Sequence, residues 1–145
     1  MLHEFEEIIF FKPWIRKNND CLQKRFPEPA KRLWSHLERL SVPAFTVAVA
    51  EEFILLSIIT IVSVTIDSYL LWLGVFMRFF IHLLIHFAQW IILRRYIPAI
   101  ISTFISLIYC GFSFTYILQK GLFRTIDYFL WTVIGFTIIG IIAVR

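Results

Sequence analysis

Charge is what this sequence has least of. Charged residues make up 17% of the 145 positions and crowd into the first 44, so the remainder carries very few. With 59% apolar residues and a mean hydropathy of +0.79, the composition excludes an ordinary soluble domain. Cysteine is also sparse. Cys21 lies in the charged N-terminal part and Cys110 in an apolar run, so a disulfide would have to join different depths, and two free thiols are expected. His3, Glu4, Glu6 and Glu7 stand where the apolar core of a signal peptide would lie, so no cleavable leader is expected and the apolar helices must direct insertion themselves. Internal repeats and low-complexity linkers are missing. Gly135 and Gly140 are five apart, which excludes the small-xxx-small dimer motif between them. The net charge of +4 comes from basic residues that flank apolar runs without a groove-reading motif, so a nucleic-acid partner is not expected and membrane lipid is.

What the sequence has is long apolar runs. A helix needs about 20 apolar residues to cross the hydrocarbon core, and four segments qualify: 45–66, 69–93, 97–118 and 123–144. Their short connections predict antiparallel neighbours. The expected fold is therefore all-α, one integral membrane domain over 1–145, with four transmembrane spans in 45–144 and re-entrant or interfacial helices in 1–44. Eight basic residues precede the first span, and Arg94, Arg95 and Arg145 share their side, whereas Lys120 and Arg124 fall opposite. The positive-inside rule then places both termini in the cytoplasm.

Within 1–44, residues 1–11 read as a short helix ended near Pro13. Residues 28–40 read as an amphipathic helix lying on the membrane, with His36 on its polar side.

Ionisable groups at membrane depth are costly and usually have partners or a task. Here they are Glu51, Glu52, Arg78, His82, His86 and Asp127. Arg78, His82 and His86 follow i, i+4, i+8 spacing and form one polar stripe, and two histidines four apart can share a metal ion. Glu52 shares a face with Ser63, so it is a better inward candidate than Glu51. Asp127 reads as a solvated or salt-bridged anchor. The first residues give His3-x-x-Glu6-Glu7, the spacing of the inverted zinc-peptidase motif with Glu7 replacing its second histidine, so His3 and Glu7 could ligate while Glu6 acts as base. The plainer alternatives are interhelical hydrogen bonding for the histidines and favourable helix N-terminal placement for the glutamates.

The chain resembles the HXXEE-domain family of small membrane proteins in Leu2-His3-Glu4-Phe5-Glu6-Glu7, in the Glu51-Glu52 pair opening an apolar helix, in the His82/His86 segment and in Arg95-Tyr96-Ile97-Pro98-Ala99. Ala99 departs from a pattern that often carries glycine after the proline. The resemblance covers about residues 2–118 and implies a membrane enzyme whose substrate it does not name.

A rise of 1.5 Å per residue puts Glu52 and His86 roughly 10 Å, and His82 roughly 16 Å, from the cytoplasmic ends of their spans. An N-terminal helix dipping into the bundle from Lys12 would carry Glu7 roughly 7 Å and His3 roughly 13 Å inward by the same rise. The expected site therefore takes metal ligands from His3, Glu7, Glu52, His82 and His86, with Glu6 and Arg78 in catalytic roles. Zinc would suit hydrolysis of a lipidic substrate, and two bridged iron ions would suit oxygen chemistry. A proton-coupled carrier and a noncatalytic membrane subunit are the competing expectations.

Overall fold

The computed structural model describes residues 2–25, 27 and 41–143. Among them the chain is all-helical, with five helices and no strand: α1 (Leu2–Arg25), α2 (Val42–Thr65), α3 (Leu70–Leu93), α4 (Ile100–Lys120) and α5 (Thr125–Ala143). Helices α2, α3 and α4 are long and apolar enough to cross a membrane, and a shorter apolar stretch runs over Thr125–Gly140 in α5. The amphipathic helix expected over 28–40, including His36, lies outside the described residues.

Local chemistry sets the helix ends. The Ser41 hydroxyl caps α2 by accepting from the Ala44 amide, with Pro43 in the first turn where no amide donor is needed. Gly121 closes α4 in the left-handed conformation that glycine adopts freely. Asp127 accepts from the Arg124 amide and guanidinium, which caps α5 and supplies the salt-bridged anchor.

The main correction concerns α1. Pro13 does not end this helix but sits inside it. An internal proline removes one helical hydrogen bond and costs about 3 kcal/mol. Tertiary packing offsets that cost: Ile15 is buried, the Trp14 indole donates to the Tyr96 carbonyl, and Phe11 meets Phe45 at 6.3 Å between ring centroids.

Helix α3 is the centre of the bundle, packing on α2, α4 and α5. Its closest partner is α5, and two glycines explain why. A Cβ at Gly74 would collide with the Trp131 carbonyl, and one at Gly135 would collide with the Gly74 carbonyl. On another side, Phe76 and Leu83 of α3 form a buried cluster with Cys110 and Ile117 of α4. Both cysteines are free thiols.

Helix α1 packs backbone-close on α2 and α4 but not on α3. The space between α1 and α3 is bridged by long side chains, and these are the ionisable ones. Replacing Gly135 with leucine should force α3 and α5 apart and destabilise the bundle by several kcal/mol, in the range known for overpacking and beyond. The measurement is thermal unfolding in detergent, with Gly140→Leu, where a Cβ meets nothing within 4 Å, expected to be nearly neutral.

Candidate metal centre between α1 and α3

His3, Glu7, His82 and His86 meet in one group, each offering a ligand atom within 4.8 Å of the others. His3 and Glu7 are one turn apart on α1, and His82 and His86 are one turn apart on α3, so each helix presents two adjacent groups to the other. The His82 and His86 ring centroids are 4.6 Å apart, and His3 stands 5.2 and 4.9 Å from them. His3 is 2% exposed, in a chain where burial of so polar a ring requires partners at both nitrogens.

Those partners fix the tautomer of His3. Its Nδ1 lies 3.4 Å from both the Ser102 and Thr103 hydroxyls. The Thr103 hydroxyl donates to the Ala99 carbonyl at 2.7 Å, and the Ser102 hydroxyl donates to Glu6 Oε2 at 2.7 Å. With their protons committed, the two oxygens face His3 as acceptors, so Nδ1 carries the proton and the Nε2 lone pair points at the group's centre. There it lies 3.2 Å from His82 Nε2. His86 Nε2 is 2.9 Å from Glu7 Oε1, while its Nδ1 is buried without a hydrogen-bond partner.

The other residues expected at the site sit beside this group. Glu52 is not a member: it forms an ion pair with Arg78 that ties α2 to α3, with both side chains largely buried. Glu51 is exposed, so Glu52 is the inward member of the pair. Glu6, expected as a base, has both oxygens engaged. Oε2 accepts from the Ser102 amide at 3.0 Å and from its hydroxyl, and Oε1 accepts from the Tyr96 hydroxyl at 2.9 Å. A carboxylate on the first-turn amides of α4 is an N-cap supplied from another helix. Burial pushes the Glu6 carboxyl up, but the hydrogen bonds from Ser102 and Tyr96 outweigh it and hold it below the usual carboxylate range. Burial and its bond to this carboxylate push Tyr96 up to about 12.

Residue type alone does not mark Tyr96, Ser102 and Thr103 as site residues. The available signal was a Ser-Thr pair in the first turn of an apolar helix, directly after Pro98-Ala99. Over residues 1–114 the chain matches the family described as a protein of unknown function with HXXEE motif. The chain belongs to the HXXEE family. No curated protein and no solved structure matches it.

The geometry gives the HXXEE motif a division of labour. His3 and Glu7 face α3, whereas Glu6 grips the start of α4. Ala99 is fully buried at φ +65°, a left-handed conformation that costs a residue with a Cβ about 1 kcal/mol.

Two outcomes follow. Ala99→Gly should leave thermal stability within about 1 kcal/mol of the wild type, because relief of the left-handed strain is offset by loss of a buried methyl and by the greater freedom of the unfolded chain. Glu6→Ala should cost about 2 kcal/mol or more by removing charge-assisted hydrogen bonds, and should expose α1 to proteolysis near Pro13. Tyr96→Phe, which removes one of the bonds, should cost less.

Proposed function

We propose that the chain is a multi-pass membrane enzyme that holds one divalent metal ion between α1 and α3 and acts on a lipidic or amphiphilic substrate. The observation that carries this reading is the donor set: three imidazoles and one carboxylate converging from two helices, with a His3 lone pair aimed inward and a buried His86 nitrogen lacking a partner. Ligand atoms bound to one zinc at about 2.0 Å stand about 3.3 Å apart. The group spans up to 4.8 Å, so small side-chain rotations would close it.

The same inventory favours one ion over two. A di-iron centre needs several carboxylates, but the group that converges between α1 and α3 holds one, Glu7, while Glu6 is committed to α4 and Glu52 to Arg78. An ion held by three of the four groups would supply a Lewis acid and an acidified water. His3, His82 and His86 would hold it, Glu7 would accept a proton, and Ser102 and Thr103 would keep His3 in its ligating tautomer. Arg78 is held by Glu52 and would act as a structural tie.

The substrate class follows from the surroundings. The outward faces of α2 and α4 carry exposed Ile54, Ile58, Ile61, Ile105, Ile108 and Phe112, which suits helices bathed in lipid. Arg94 and Arg95 at one end, against Lys120 and Arg124 at the other, together with the basic N-terminal segment, support cytoplasmic termini.

One contact favours a second reading. The His86–Glu7 pair is satisfied without an ion and could serve a proton relay in a carrier. Elemental analysis of the purified protein separates the two. The enzyme reading predicts about one equivalent of zinc or iron, lost in His82→Ala and kept in Glu52→Gln. A folded wild-type protein that binds no divalent metal contradicts it.

A further inference from the structure

A groove on the outer side of α1 has a chemistry that the metal centre does not use. It is lined by Ile8, Ile9, Lys12, Pro13, Arg16, Lys17 and Val42, with a volume of about 1010 Å³. Its lining is sorted along the helix axis. Ile8 and Ile9 lie toward the end of α1 that enters the bundle and three cations follow toward the other end, with Val42, the first residue of α2, at the level of the cations because Phe45 one turn further along α2 meets Phe11. The span from Ile8 to Lys17 is about 14 Å at 1.5 Å per residue.

The depth of this groove is fixed by a contact outside it. The Trp14 indole donates to the Tyr96 carbonyl, so the Lys12–Lys17 stretch stands level with Arg94, Arg95 and Tyr96 at the end of α3. Two aromatics and a ring of basic side chains at one level mark the headgroup zone of a membrane protein. The groove would therefore present apolar residues to the hydrocarbon side and Lys12, Arg16 and Lys17 to the headgroup side. A peptide has no reason to match that vertical order, whereas an anionic amphiphile has its acyl chains below its phosphate.

We propose that this groove binds the headgroup and upper acyl chains of an anionic phospholipid of the cytoplasmic leaflet, with Lys12, Arg16 and Lys17 on the phosphate and Ile8 and Ile9 against the chains. The inference rests on the membrane-embedded reading and is independent of the metal. It places a bound anionic lipid on the opposite side of α1 from His3 and Glu7, holding the helix that carries them.

The test uses the full chain in vesicles of equal phosphatidylglycerol and phosphatidylcholine, followed by native mass spectrometry of the extracted protein. Phosphatidylglycerol should be retained in preference to phosphatidylcholine, and each of Lys12→Gln, Arg16→Gln and Lys17→Gln should weaken retention roughly fivefold. Ile8→Ser with Ile9→Ser should weaken retention of the lipid too. Inorganic phosphate in excess should fail to displace it, because phosphate alone lacks the apolar contact. Neutralising Lys24, Arg94 and Arg95 together removes as much charge at the same end of the bundle and should have a much smaller effect than the groove triple variant, which combines Lys12→Gln, Arg16→Gln and Lys17→Gln.

Equal retention of both lipids, displacement by phosphate, or an equal effect of the two triple variants would overturn the lipid site. Protein that leaves the vesicles in a carbonate wash would instead contradict the membrane reading itself, so the two failures are distinguishable.

Discussion

The carboxylate of Glu6 at the N-terminus of α4 is the contact on which the site depends. It accepts from the Ser102 amide, the Ser102 hydroxyl and the Tyr96 hydroxyl, and so pins α1 to the start of one helix and the end of another. Once Glu6 is fixed, helical geometry determines the rest. Glu7 is the next residue and His3 lies one turn from it, so both must face α3. Ser102, held by Glu6, turns its oxygen toward His3. A single anchored carboxylate thus positions two candidate ligands and the tautomer of one.

Helix α3 reconciles two opposite demands. Toward α5 it uses Gly74 against Gly135, so the backbones come as close as they can and the bundle gains dense packing. Toward α1 it uses His82 and His86, which keep the helices apart and fill the gap with ionisable groups, while Arg78 beside them pairs with Glu52 of α2. The first face stabilises a bundle that has few polar contacts elsewhere among the described residues. The second would be a liability in an apolar interior unless its groups were paired. All of its members have partners except His86 Nδ1, the buried atom left over.

Much of this was legible in the sequence. Apolar runs of the right length gave the helices to within a few residues at most ends, and the matched depths of His3, Glu7, His82 and His86 foretold their meeting. Other features depended on tertiary structure. Pro13 is a helix breaker by propensity, and only the burial of Ile15 and the Trp14–Tyr96 contact make continuation worthwhile. Glu6 and Glu52 looked like site carboxylates because residue type does not disclose that an amide or a guanidinium will reach them first. The spacing of Gly135 to Gly140 shows no pairing motif, whereas the partner of Gly135 is Gly74, 61 positions away in sequence on another helix. Long-range pairings of this kind leave no local periodicity to read.

The central claim is that α1 enters the bundle and sets His3 against the two histidines of α3. Solid-state NMR of the histidine-labelled protein in bilayers tests it most directly, through carbon and nitrogen correlations between rings. The account predicts mutual contacts among His3, His82 and His86, whose centroids lie 4.6, 4.9 and 5.2 Å apart. A spectrum in which His82 and His86 contact each other while His3 contacts only water would contradict it.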